Sequence, residues 1–324
     1  MNILSLFDGI GGARIALDRL GIKFEKYFSS EINQPCIQTL NSNYDDIIHL
    51  GDIREIKKSD LPSIDLFIGG SPCQDLSNAQ IGQGLKGESS GLFYEYVRLL
   101  NEVNPKYFVL ENVKNKWGNI MSDIVGISHI EINSHYFSAQ FRPRYYWTNI
   151  AIDVDSLPSQ TNPLVLNDII EDDVDEKYFL PDEKTEEILK SVQNIDRNST
   201  PIKKLFTIPK HIHNDNERQR RVYSIEGKSP TLLARADTTK ILINDRIRKI
   251  TPLECERLQG LPDNYTQICS DTQRYKMIGN GFTIGVIEFI LSFINKPPRK
   301  RTVSQNADYY LSGKKNQAKQ IELL

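Results

Sequence analysis

At 324 residues the chain is long enough to bury a sizeable core and to form one large domain with a smaller one beside it. Its composition, 39% hydrophobic and 25% charged with a net charge of -2, fits a globular protein and excludes a disordered or uniformly basic one. No apolar run approaches the ~20 residues of a membrane span, and the start "MNILSLFDGI" lacks the basic segment and cleavage site of a signal peptide, so a cytosolic protein is expected.

In chain order, "NILSLF" reads as a strand. "GGARIALDRLG" then reads as a helix with Ala13, Ala16, Leu17 and Leu20 on one face, stopped by Gly21. Strand-like runs follow at "KYFSS", "DLFIGG", "KYFVL" and "YYWTNI", with "GLFYEYVRLLNEV" a helical candidate among them. Such alternation argues a mostly parallel sheet with helices on both faces. From 155 to 248 the periodicity gives way to charged, Pro- and Asn-containing segments. Regularity returns at "TPLECERLQG", with Thr251 as N-cap and Pro252 at the first helical position, and "GNGFTIGVIEFILSFI" reads as an apolar helix. The tail from Pro297 is polar and net basic, and is expected to be flexible.

Charge is unevenly spread. Residues 165–199 hold 11 Asp/Glu against 4 Lys/Arg, net -7, and 200–249 hold 12 Lys/Arg against 5 Asp/Glu, net +7. A basic block of this kind is either a solvated face or a surface that neutralises phosphates. The four cysteines, Cys36, Cys73, Cys255 and Cys269, have no CxxC spacing, so neither a zinc site nor a disulfide framework is indicated. His211 and His213, two apart with no cysteine partner, read as polar surface residues, and no metal is expected.

Two constellations carry chemistry. In open α/β sheets a ligand sits at the carboxyl ends of the strands beside a glycine-rich turn. "LFDGIGG" supplies one through Gly9, Gly11 and Gly12; Glu31 ends the next strand and suits two ribose hydroxyls. Asp52 follows a further strand-like stretch and suits an adenine amino group, with Ile53 against the ring. A glycine turn alone is equally a tight turn with no ligand, and a pyrophosphate dinucleotide would favour the full GxGxxG spacing that "GIGGAR" does not give. The second constellation joins "SPCQ" with Cys73, "LENV" with Glu111 and Asn112, and "QFRPRYYW" with Gln140, Arg142 and Arg144. Singly these are a packed thiol, a surface acid and a salt-bridged edge. Together they put a thiol, a proton-sharing carboxyl and a basic clamp at one end of a sheet.

On these residues the chain resembles the carbon-5 cytosine-specific DNA methyltransferases, which depend on S-adenosylmethionine. The resemblance runs from "SLFDGIGG" through "SEIN", "GDI", "GGSPCQDLS", "LENV" and "QFRPR" to "RKITPLECERLQGLPDNY" and "MIGNGFTIGVI", in the family's order and spacing. It departs at Asp8, where many bacterial members carry alanine, and at Gly281, where serine is common; "SLFDGI" and "RYYW" are closer to the vertebrate de novo enzymes.

The resemblance implies an α/β fold, a Rossmann-like doubly wound sheet with a smaller, irregular target recognition domain inserted before the C-terminal return. The expected divisions are a catalytic and cofactor-binding domain at 1–154, the recognition domain at 155–248, a segment completing the catalytic domain at 249–296, and the basic tail at 297–324. It implies methyl transfer to carbon 5 of a flipped-out cytosine in a specific duplex sequence, S-adenosylhomocysteine being the other product. Carbon 5 is a weak nucleophile until a thiolate adds to carbon 6, so Cys73 is the implied nucleophile, Glu111 grips ring nitrogen 3 and the exocyclic amine, and Arg144 with Arg142 holds the ring oxygen and the thiol loop, Gln140 being a further catalytic-site position. Phe7, Asp8, Gly9, Ile10, Gly11, Gly12, Glu31, Ile32, Asp52, Ile53, Pro72, Leu92, Asn280, Gly281 and Phe282 are the implied cofactor-binding positions. Residues 77–91 match the family's mobile loop. Gln74, Ser77, Arg218, Arg220, Arg221, Thr231, Leu232 and Arg235 are the implied DNA contacts, the "SPTLLA" element among them. The acidic half of the insert is expected to face away from DNA.

Double-stranded DNA is thus the expected partner of a monomer in a bacterial or phage-infected cell, with a cognate restriction endonuclease as a functional companion. The tRNA-methylating branch of the family is the first alternative, but its Cys-Phe-Thr element is not found. A catalytically inactive DNA-binding homologue is the second, opposed by the presence of Cys73, Glu111, Arg142 and Arg144. An amino-group methyltransferase would need a (D/N/S)PP(Y/F/W) element where "SPCQ" stands, and a nicotinamide oxidoreductase would leave "SPCQ", "LENV" and "QFRPR" unexplained.

Overall fold

The computed structural model describes residues 1–72, 88–158, 163–192, 201–236 and 239–302. Cys73, Gln74, Ser77, the expected mobile loop up to residue 87 and the tail beyond residue 302 lie outside the described residues.

The first half alternates strand and helix: β1 (Asn2–Leu6), α1 (Gly12–Arg19), β2 (Lys26–Ser30), α2 (Gln34–Asn43), β3 (Ile47–His49), β4 (Leu66–Gly70), α3 (Glu88–Val103), β5 (Tyr107–Val113) and α4 (Gly118–Val125). Then come β6 (Ile130–Asn133), β7 (Gln140–Phe141) and β8 (Pro143–Thr148). Seven of these strands form one sheet in the order β3-β2-β1-β4-β5-β8-β6, parallel from β3 to β5, with β8 reversed between β5 and β6. Strand order reverses between β1 and β4, and in a doubly wound sheet that is where a crevice opens at the carboxyl ends.

Strand side chains alternate between faces, and both faces are covered. Ile3, Tyr27, Leu66, Ile68 and Val109 go to one core with α1 and the later helices, whereas Leu4, Leu6, Phe28, Phe67, Phe108 and Leu110 go to the other with Phe93, Val97, Met121 and Ile124. At the reversal point β1 and β4 approach so closely that a Cβ on Gly69 would lie 2.6 Å from the Leu6 carbonyl oxygen. Only glycine fits there.

In α1 the predicted face is buried at Ala13, Ala16 and Leu17 but not at Leu20, which is 37% exposed because the helix ends at Arg19 and Leu20 serves as its C-cap.

The insert has a sheet of its own. After α5 (Asp182–Ser191) come β9 (Lys204–Thr207), β10 (Arg221–Ser224), β11 (Ser229–Pro230), β12 (Lys240–Ile243) and β13 (Arg246–Lys249), and four of them pair in the order β13-β12-β10-β9. Ile188, Phe206, Ile208, Val222 and Ile247 form its small core. The acidic half turns partly onto the basic half: Glu176 and Asp182 both pair with Arg246, at 2.7 and 2.9 Å.

The chain returns through α6 (Pro252–Gln259), α7 (Asp271–Asn280) and α8 (Ile284–Leu291). The continuous apolar helix expected over 279–294 is therefore broken. Asn280 ends α7, Gly281 is extended at φ -70 and ψ 167, and Thr283 caps α8. Main-chain carbonyls freed by this break are taken by buried side chains, described below. No helix among the described residues is long and apolar enough to cross a membrane, and no group of three metal-ligating side chains occurs among them.

Candidate active site

The glycine turn follows β1 at the reversal point. Phe7 and Gly9 have φ of 52 and 59, and Gly11 at φ 76 caps α1, where a Cβ would also lie 2.6 Å from Leu40 Cδ2. Glu31 pins the turn. One of its carboxylate oxygens accepts from the Gly9 N–H at 2.8 Å, and the other accepts from the N–H groups of Ile32 and Asn33, both at 2.8 Å. The second oxygen thus accepts two bonds and the first only one, so the carboxylate is oriented and its first oxygen still has an acceptor position for a further donor.

Ile32 beside it is 63% exposed, an apolar surface without cover. Asp52 caps the short turn at 53–55 and accepts from Arg54, whose guanidinium holds the carboxyl below the usual carboxylate range. The side chains of Ile10 and Ile53 are buried, one in each core. Phe282, from the break after α7, closes the crevice floor: a Cβ on Gly70 would lie 3.0 Å from its ring, and one on Gly12 3.3 Å from its Cβ. Asn280 is exposed, and Pro72, Leu92 and Gly281 are half-buried.

Asp8 behaves differently from its neighbours in the turn. Its carboxylate points under the turn, accepting from Ser5 Oγ at 2.6 Å and Tyr27 Oη at 2.9 Å. Burial pushes its pKa up, opposed by the hydroxyls around it.

Glu111 stands on β5 in register with Gly70, the last residue of β4. Its Oε1 is 2.9 Å from Arg144 Nε on the adjacent β8, with side chains only 14% and 12% exposed. The neighbouring Asn112 donates to the main-chain and side-chain oxygens of Ser71, at 3.1 and 2.9 Å, and so fixes the chain as it leaves β4 towards Pro72 and Cys73.

Arg142 and Gln140 both bond to main-chain groups of distant segments. Arg142 donates to the carbonyls of Leu232, Gly279 and Gly281 at 3.3, 3.0 and 3.1 Å. Gln140 accepts from the Leu232 N–H at 2.9 Å and donates to Gln259 at 3.1 Å. Thus the stretch just before β8, the strand that carries Arg144, also holds the β11 segment of the insert and the break before α8.

Within that segment, β11 pairs with β7, Thr231 Oγ1 donates to the Phe141 carbonyl at 2.9 Å, and the Leu232 side chain is buried. The arginines there divide by partner. Arg220 donates to the carbonyls of Asp215 and Ile208, Arg221 pairs with Glu217 at 3.0 Å, and Arg235 pairs with Asp215 at 2.9 Å. Arg218 donates to the Thr231 carbonyl at 3.1 Å.

Two supporting groups were not singled out from the sequence. Gln259, fully buried, donates to the carbonyls of Ile278 and Gly281 at 2.9 and 3.2 Å and accepts from Thr283 Oγ1 at 2.7 Å. Glu254, also fully buried, takes a bidentate pair from Arg248 at 2.6 and 2.8 Å while closing the capping box with Thr251. The spacing Thr251-x-x-Glu254 is the linear signal for the second; nothing comparable marks Gln259.

Known proteins carry the same organisation. Residues 1–119 and 124–296 match the C-5 cytosine-specific DNA methylase family. The type II methyltransferase M1.ScrFI of Lactococcus lactis subsp. cremoris is 33% identical, covering 89% of this chain and 76% of that protein. M.HhaI of Haemophilus parahaemolyticus is 28% identical, covering 90% and 93%. Among solved structures, a methyltransferase of Entamoeba histolytica superposes with a TM-score of 0.68 at 17% identity, covering 91% of this chain and 97% of that one, a likeness of fold. A putative DNA modification methyltransferase encoded within an E. coli prophage gives 0.60 at 21%, covering 91% and 100%. Family match and full-length relatives agree, and the chain belongs to the C-5 cytosine-specific DNA methylases, as a DNA (cytosine-5-)-methyltransferase.

Proposed function

We propose that this chain methylates carbon 5 of a cytosine flipped out of duplex DNA, with Cys73 as nucleophile and S-adenosylmethionine as donor. The observation that carries the reading is the Glu111–Arg144 pair, held beside Gly70 three residues before Cys73. Residues of the crevice fit the cofactor: Glu31 offers an oriented carboxylate for the ribose hydroxyls, Ile32 an open apolar face for the adenine, and Asp52 an acceptor for its amine. When bound, S-adenosylmethionine supplies an electrophilic methyl group.

The remaining steps belong to the protein. The Cys73 thiolate adds to carbon 6, and the ring becomes an enamine whose carbon 5 takes the methyl group. Glu111 accepts from the exocyclic amine and passes a proton to ring nitrogen 3, offsetting the negative charge that the thiolate brings to the ring. Arg144 orients Glu111 through their ion pair and presents its other donors to the ring oxygen. Loss of the carbon-5 proton to a base then restores the double bond and expels Cys73. Asn112 holds Ser71, and hence the strand end from which the thiol is presented.

The test is a covalent trap. A duplex carrying 5-fluorocytosine has no carbon-5 proton to lose, so with S-adenosylmethionine the wild-type enzyme is expected to form a denaturation-resistant adduct and Cys73→Ala none. Adduct formation by Cys73→Ala, or on tRNA and not on duplex DNA, would overturn the reading. Bisulfite sequencing of a plasmid from expressing cells identifies the methylated sequence.

A further inference from the structure

The recognition segment holds several arginines, and their partners separate them. Both bonding nitrogens of Arg220 are engaged by main-chain carbonyls, and Arg221 and Arg235 each face a carboxylate. Arg218 does not: its guanidinium is tethered through one nitrogen to the Thr231 carbonyl, and no carboxylate among the described residues lies within ion-pair distance of it. It edges a surface depression that Tyr223, Thr231, Leu233 and Thr239 also line.

This tether leads to β7, just before the strand that carries Arg144. Thr231 is bonded through its hydroxyl to Phe141, three residues before Arg144, and Arg144 carries Glu111. Arg218 is therefore mounted on the same frame as the proton-handling carboxylate, although it belongs to the insert.

We propose that Arg218 binds a backbone phosphate of the DNA strand next to the flipped cytosine, and so sets the distance between that strand and Glu111. The proposal rests on the methyltransferase reading above and names one contact within it. A full negative charge is the better partner than the neutral edge of a base. Arg218 is exposed yet partly enclosed, and this desolvation, with the positive charges of Arg221 and Arg144 nearby and against the influence of Tyr223, holds its pKa below the ordinary value. An arginine in such a field gains most from a charge that cancels it. A phosphate also leaves the contact indifferent to sequence, so Arg218 positions the duplex while other groups read it.

Salt dependence measures the contact. With the cofactor product S-adenosylhomocysteine present, duplex affinity is recorded for the full chain over a range of salt concentrations. Losing one phosphate contact lowers the slope of log K against log salt by about 0.9, and Arg218→Ala is expected to show that change with affinity about tenfold weaker at low salt. Arg218→Lys, which keeps the charge, is expected to keep most of the slope. Bisulfite mapping is expected to return the wild-type sequence for both variants. A slope unchanged in a folded Arg218→Ala protein would overturn the proposal. So would relaxed methylation at one base position, which would make Arg218 a reader of that base. Trapping by the wild-type enzyme on 5-fluorocytosine reports the underlying reading independently, so failure of one is not mistaken for failure of the other.

Discussion

Asp8 stands in the glycine turn and Glu31 follows β2 beside it, and the two have opposite environments. Glu31 is oriented at the crevice by main-chain N–H groups, whereas Asp8 sits beneath it against Ser5 and Tyr27. Burial is the main reason the Asp8 pKa is raised from 3.8, and the charge of Glu31 adds to it. A carboxyl whose folded pKa exceeds its unfolded one binds its proton more tightly in the native state. Stability is therefore greatest below the unfolded value and is lost as pH climbs towards the folded one. Asp8→Asn cannot ionise, so its unfolding midpoint in urea is expected to gain on wild type as pH rises from about 4 to 7. A constant gap across that range would show that Asp8 stays charged in the fold. Sequence reasoning placed both acids on the cofactor, Asp8 as part of the glycine turn and Glu31 as the acid that ends the next strand. Which one turns inward depends on Tyr27, nineteen residues away in the next strand, and no local spacing reveals it.

Most elements of the sheet were legible because strands buried on both faces read as apolar runs. The strands of the insert, "KLFT", "RVYS", "KILI" and "RIRK", were not: each has four residues, and in three of them the buried positions are adjacent, so no alternation registers. The break between α7 and α8 was hidden for a different reason. Its sequence is apolar enough to continue a helix, but Arg142 and Gln259 take the carbonyls of Gly279, Gly281 and Ile278, and partners that distant cannot be read from a window. The junction of β13 with α6 depends on one buried ion pair, Arg248 and Glu254, at 1% and 0% side-chain exposure. Glu254→Gln keeps an acceptor for the Thr251 N–H but leaves the guanidinium uncompensated, and is expected to cost about 3–5 kcal/mol in urea unfolding. Adding Arg248→Met should recover much of that loss, since the stranded charge is then gone. If the double variant is no more stable than the single one, the pair matters for its shape and not for its charge.

On the scale of the whole molecule, the segment after α8 does not leave the body at Pro297 as the polar sequence suggested. Arg299 bonds to the carbonyls of Asn149 and Thr148, both at 2.7 Å, and Arg301 bonds to Val125 and Asn101, both at 2.9 Å, with its guanidinium 5.4 Å from the Phe108 ring. Phe108 is the second residue of β5 and Thr148 ends the reversed β8, so this clasp lies at the end of the sheet away from Glu111. Arg301→Ala is expected to cost about 1.5–3 kcal/mol of stability from the loss of charge-assisted bonds while leaving methyl-transfer turnover at low temperature unchanged. A drop in turnover with normal stability would mean the two ends of the sheet communicate. The bonds at Leu232 have a wider implication. Its N–H and carbonyl are held by Gln140 and Arg142, so the insert is registered to the catalytic body through main-chain atoms that every residue but proline possesses. Side chains elsewhere in the insert can therefore diverge freely while this anchorage, and the chemistry next door, stays in tune.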